Sequence, residues 1–87
     1  MAYEVVVQPS AARELRKLPQ EIRKRIGRKI DALSNDPRPA DAKVLQGSEG
    51  FLRVRVGDYR IVYTIREKTL IVMIVRIGHR REIYRKR

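Results

Sequence analysis

The chain opens on a run of β-branched residues, Val5-Val6-Val7 behind Tyr3-Glu4, which predicts a strand over 3–7. Pro9-Ser10 ends that strand, and Ser10 stands where a helix N-cap is wanted. Ala11, Leu15 and Leu18 then recur at helical spacing, up to Pro19. A proline costs little in the first turn of a helix, so a second helix can start there. Its apolar stripe is Ile22, Ile26, Ile30 and Leu33, with Arg23, Lys24, Arg25, Arg28 and Lys29 on the remaining surface. The two segments read as a helical hairpin. Residues 34–50 hold Asp36-Pro37-Arg38-Pro39, Gly47 and Gly50 and read as a loop, long for a chain of 87 residues and therefore a candidate for function. Residues 51–77 read as a meander of three strands. Phe51 to Val56 alternates, Gly57-Asp58 is a two-residue hairpin turn, Tyr59 to Arg66 alternates, and Glu67-Lys68 makes a second turn. Thr69 to Val75 is nearly all apolar, the pattern of a central strand, and Gly78 breaks it. The expected fold is α+β: an N-terminal strand, a two-helix hairpin, then an antiparallel three-stranded meander, with the helices on one face. One domain over 1–87 accommodates all of it, without repeats or low-complexity tracts.

Composition adds exclusions and one positive signal. The chain has no cysteine and a single histidine, His79, so neither thiolate nor histidine-cluster metal sites are open to it, and no cofactor motif appears. Nothing approaches the roughly 18 apolar residues of a membrane span. Met1-Ala2-Tyr3-Glu4 lacks the basic start and apolar core of a signal peptide, so the cytoplasm is the expected compartment. Charge is the positive signal: 21 Lys and Arg against 10 Asp and Glu leave a net +11. Such an excess points to a polyanion, either nucleic acid or an acidic protein.

The first hairpin locates the chemistry. A two-residue turn at Gly57-Asp58 pairs Val56 with Tyr59, Arg55 with Arg60, Val54 with Ile61 and Arg53 with Val62. Alternation then turns Leu52, Val54, Val56, Tyr59, Ile61 and Tyr63 toward the helices and gathers Arg53, Arg55 and Arg60 on the other face. Like charges placed directly opposite destabilise a sheet, so the cluster calls for an anion; the bland alternative is a solvated face whose arginines splay into water. Arginine suits phosphate because its planar fork donates two hydrogen bonds and keeps its proton. Beyond the last strand, Arg80 and Tyr84 lie four residues apart and can fold over the same face. Positive neighbours favour phenolate, which makes Tyr84 a candidate general base for a ribose 2′-hydroxyl; the alternative is a ring packed on the sheet with its hydroxyl in water. His79 is a possible auxiliary group or a plain turn residue, and Arg81, Arg85, Lys86 and Arg87 suit diffuse phosphate steering. No carboxylate pair, glycine-rich phosphate loop or serine–histidine arrangement offers a competing mechanism.

Leu45-Gln46-Gly47, the run Phe51-Leu52-Arg53-Val54-Arg55-Val56-Gly57-Asp58-Tyr59-Arg60-Ile61-Val62-Tyr63, and His79-Arg80-Arg81-Glu82-Ile83-Tyr84-Arg85 together resemble the RelE/ParE toxin superfamily. The opening strand and the Leu18-Pro19 hairpin extend the resemblance over essentially the whole chain. It implies the microbial-ribonuclease-like RelE fold. For the RelE branch it also implies a type II toxin that cleaves mRNA in the ribosomal A site without metal, by attack of a ribose 2′-oxygen on the adjacent phosphate. In that picture Arg53 and Arg55 bind the substrate phosphate and Arg60 contacts the scissile one. Arg80 protonates the leaving oxygen, Tyr84 is the base, and His79 and Arg81 are auxiliary. The best-known members carry lysine where this chain has Arg53 and Arg55, so these two are assigned charge stabilisation only. The implied partners are an acidic RelB-like antitoxin, the ribosome and mRNA, with operator DNA reached only through the antitoxin complex. A ParE-like toxin acting on gyrase, or a non-catalytic basic RNA- or DNA-binding module, would carry the same charge signature.

Overall fold

A computed structural model of the chain describes residues 2–47 and 50–79. In chain order the elements are β1 (Glu4–Val7), α1 (Pro9–Arg16), α2 (Gln20–Asn35), β2 (Lys43–Val44), β3 (Phe51–Val56), β4 (Tyr59–Arg66) and β5 (Ile71–His79). They form one five-stranded sheet in the order β1-β5-β4-β3-β2. The two helices cover one face, and Ala11, Ile26, Ile30 and Leu33 bury against Val54, Val56, Ile61, Tyr63, Val72, Ile74 and Ile77. The stripe of α2 and the core face of the first hairpin are those the periodicity predicts. By contrast, α1 ends at Arg16, so Leu18 packs on the core margin from the link and Pro19 caps α2 from outside its first turn. Leu15, Leu18, Ile22, Leu52 and Tyr59 complete the core margin, half-buried. No helix among the described residues is long and apolar enough to cross a membrane.

Four local expectations change. The cap of α1 is Gln8, and Pro9 rather than Ser10 opens the helix, because proline's fixed φ suits the first turn and its missing N–H needs no partner there. The expected loop 34–50 is shorter: α2 runs to Asn35, and Lys43–Val44 adds an edge strand to β3. The second turn is wider than Glu67-Lys68. Leu70 takes a positive φ of 56°, so the last strand begins at Ile71 rather than Thr69. That strand also runs through Gly78 to His79, with Arg60 paired to Gly78 and Tyr59 to His79. Glycine weakens a strand entropically, but two flanking ladder pairs carry it through.

The sheet is mixed. β1 lies parallel to β5, pairing Glu4 with Ile71 through Val7 with Ile74, while the other neighbours are antiparallel. β1 is tied to the end of α2 by two bonds: the Tyr3 N–H donates to the Ser34 carbonyl and the Ser34 hydroxyl donates to the Tyr3 carbonyl, both at 2.8 Å. In β5 the register slips between Val62 and Tyr63, which pair with Arg76 and Ile74 and leave Val75 as the extra residue. Strict alternation would put Ile74 and Ile77 on opposite faces. The bulge restores both to the core, where each is at most 1% exposed.

Candidate nucleic-acid interface

The turn at Gly57-Asp58 sets the register of the site. Gly57 has a φ of 59°, and among the described non-glycine residues only Leu70 has a positive φ. A positive φ at the first central position alone is the mark of a type II′ hairpin turn, whose twist matches the strands it joins. The pairs that follow are Val56 with Tyr59, Arg55 with Arg60, Val54 with Ile61 and Arg53 with Val62. Residues paired across a ladder share a face, so Arg53, Arg55 and Arg60 stand together on the face away from the core.

Two cross-strand rows result. One is Arg55–Arg60–Gly78, with no side chain beyond Arg60 on β5. The other is Lys43–Arg53–Val62–Arg76, which brings in two cations the periodicity did not single out. Lys43 became visible only through the pairing of β2, a strand too short to leave an alternation signal. Arg76 is already engaged: its Nε donates to Glu14 Oε2 at 3.1 Å, and Glu14 Oε1 accepts the Ile77 N–H at 2.8 Å. Glu14 thus occupies the edge of β5 that β1 leaves after Val7.

The three arginines differ in depth. Arg55 is exposed, Arg53 half-buried and Arg60 only 3% exposed. Val62, beside Arg60 on the same face, is 2% exposed. A simple solvated face is therefore excluded at Arg60. A guanidinium cannot shed its proton to escape burial. Its charge stays in a poorly hydrated place, where attraction to a phosphate is screened far less than at the surface. Arg55, directly opposite, is the part of the pair an anion in solution meets first.

His79 stands opposite Tyr59, their rings edge-to-face at 5.6 Å and 80°. That contact holds the end of β5 beside Arg60, and Arg80 is the next residue in the chain. Arg80, Arg81 and Tyr84 lie outside the described residues. Among the described residues no group of three or more His, Cys, Asp or Glu side chains could hold a metal ion.

The loop between α2 and β2 is anchored away from the arginine rows. Tyr63, fully buried in the core, donates its hydroxyl to the Pro37 carbonyl at 2.7 Å. Burial, reinforced by the Asp41 carboxylate, pushes the phenol up to about 12. Arg38 and Tyr3 both donate to Glu67, holding its carboxyl below the usual range, with the Arg38 bond the larger cause. Lys29 bonds Asp41 at 2.9 Å and likewise lowers that carboxyl.

A helical hairpin packed on one face of a mixed sheet, with arginines crossed on the other, defines a small basic α+β domain. Residues 5–84 match the family model described as the ParE toxin of the type II toxin–antitoxin system parDE. The chain is 32% identical to toxin RelG of Mycobacterium tuberculosis over 99% of its own length and 100% of the relative's. It is 28% identical to the mRNA interferase toxin RelE of Escherichia coli K12, covering 97% of this chain and 92% of that one. The fold matches the crystal structure of the toxin–antitoxin complex RelBE2 from M. tuberculosis with a TM-score of 0.80, at 32% identity, over 92% of this chain and 100% of the matched one. The chain belongs to the ParE toxin family of type II toxin–antitoxin systems, within the RelE/ParE superfamily.

Proposed function

We propose that this toxin is a ribosome-dependent endoribonuclease that cleaves mRNA in the A site and is silenced by an acidic RelB-like antitoxin. The observation that carries the reading is the Arg55–Arg60 pair, an exposed guanidinium crossed with a buried one on the sheet face away from the core. The mRNA interferase name of the E. coli relative and the RelB–RelE complexes among the structural matches support it. Such a toxin works in the cytoplasm, where its target is.

In the proposed reaction Tyr84 takes the proton of a ribose 2′-hydroxyl, whose oxygen attacks the adjacent phosphorus. The bond from phosphorus to the 5′-oxygen breaks, leaving a cyclic phosphate on one fragment. Arg80 supplies a proton to the departing alkoxide, which is more basic than the guanidine. Arg60 holds the charge that grows on the phosphate, with Arg53 and Arg55 binding from the exposed side. Electrostatic stabilisation by fixed donors is the main contribution, so no metal or cofactor is required.

Single-turnover cleavage of ribosome-bound mRNA tests this. Arg60→Ala, Arg80→Ala and Tyr84→Phe should each slow cleavage by about 10² to 10³, the usual effect of losing one preorganised donor, with ribosome affinity changed far less. Parental rates in Arg80→Ala and Tyr84→Phe would remove the catalytic assignment. The match to a ParE family model favours one competing reading, inhibition of gyrase without ribonuclease chemistry. A parent that never cuts RNA but blocks DNA supercoiling would establish it.

A further inference from the structure

A groove of about 440 Å³ lies on the helix side of the β3–β4 turn. From α2 it takes Arg25, Arg28 and Lys29, and from the hairpin Arg55 and Val56. Arg25 and Arg28 are exposed, and Arg25 stands three residues from Arg28 and four from Lys29, spacings at which like charges repel on a helix. The guanidinium of Arg25 lies over Gly57: a Cβ there would stand in ordinary contact, 3.5 Å from Arg25 Nη2 and 3.8 Å from Nη1. The turn therefore brings a guanidinium of α2 against the hairpin backbone. Lys29 is bonded to Asp41, which leaves three arginines as the main attraction.

We propose that this groove is a second phosphate track, which holds the backbone of the RNA strand being cleaved at linkages outside the scissile one. The inference rests on the ribonuclease reading and extends it. Arg55 is the link, because it lines the groove and also faces Arg60 across the hairpin. A strand lying in the groove reaches the candidate cleavage site, on the opposite face of the sheet, by passing round the tip of the hairpin. The lining also argues against an antitoxin segment as occupant. A peptide that folds on binding needs apolar seats, and here the apolar contribution is Ala32 and a nearly buried Val56. The exposed large hydrophobic residues among those described, Val44 and Leu70, lie elsewhere. A sugar–phosphate backbone needs only the cations.

The test measures binding of 2′-O-methyl RNA strands, which lack the attacking hydroxyl, at lengths of about 4 and about 16 nucleotides, the span of ordinary single-strand sites. The parent should bind the longer strand more tightly. Arg25→Gln/Arg28→Gln should lose about tenfold on the longer strand and little on the shorter. Its salt slope should fall by about 1.4, two contacts at roughly 0.7 each. Arg25→Lys/Arg28→Lys, which keeps the charge, should retain most of the affinity. Thermal melts should confirm that these exposed positions leave the fold intact. Parental affinity of the Gln variant for the longer strand overturns the inference and leaves the cleavage reading standing. So does a loss confined to intact ribosomes, which would place ribosomal RNA in the groove, or a loss confined to the antitoxin. A parent that binds neither strand overturns the inference, and failure to cut mRNA on ribosomes as well would take the ribonuclease reading with it.

Discussion

Tyr63 and Arg60 show what burial does to two polar side chains of one strand. Tyr63 faces the core and meets the cost by donating to the Pro37 carbonyl, which also fastens the loop after α2. Its phenol titrates near 12 in the fold against an ordinary 10.0. The neutral form is therefore preferred in the native state. The stability this contributes is fully present below about pH 10 and is lost as pH rises toward 12. Two units correspond to about 2–3 kcal/mol as an order of magnitude. In urea unfolding, the parent should lose more stability across this window than Tyr63→Phe, which has no proton to give up. Parallel losses in the two proteins would assign the alkaline weakening to other groups. At neutral pH the same substitution should cost about 0.5–1.5 kcal/mol for the hydrogen bond. Arg60 faces the other way, buried on the side of the sheet away from the core.

Among the elements, β5 does most to assemble the site. It is the strand between β1 and β4, its bulge returns Ile77 to the core, and its last residues stand beside Tyr59 and Arg60. Where β1 stops at Val7, Glu14 of α1 takes its place by accepting the Ile77 N–H. Glu14→Gln keeps an acceptor there and gives up the ion pair with Arg76. Because both side chains are about a third exposed, that should cost less than about 1 kcal/mol. Glu14→Ala leaves the N–H without its acceptor and should cost about 1–3 kcal/mol. Amide exchange at Ile77 separates the two: protection should survive in the Gln variant and fall in the Ala variant. Equal protection in both would mean that Glu14 does not hold this edge.

For the molecule as a whole, a net charge of +11 raises the self-repulsion of the compact state and its attraction to polyanions together. An acidic antitoxin that binds only the folded toxin should raise its stability by mass action, by about 2.7 kcal/mol at a hundredfold excess over Kd. Added salt should reduce that gain by screening the attraction. In cells, the toxin alone should arrest growth and its antitoxin should restore it. Unhindered growth at high toxin levels without a partner would contradict the toxin reading of this chain.

The sequence by itself determined the stripe of α2, the first hairpin and the register that sets Arg55 against Arg60. Each depends on spacing within a few residues: helical periodicity, strand alternation and one glycine turn. The family was legible for the same reason, since its signature runs along that hairpin. Only the tertiary structure decided the parallel pairing of β1 with β5, the strand at Lys43–Val44, the bulge and the passage of β5 through Gly78. Strand pairing depends on which edges packing leaves available, and a two-residue strand has no period to read. Depth was decided there too. Alternation placed three arginines on one face, but the neighbours packed around them left Arg55 in water and Arg60 buried. The groove beneath the hairpin joins residues about thirty positions apart, and only the packing of α2 against the β3–β4 turn brings them together.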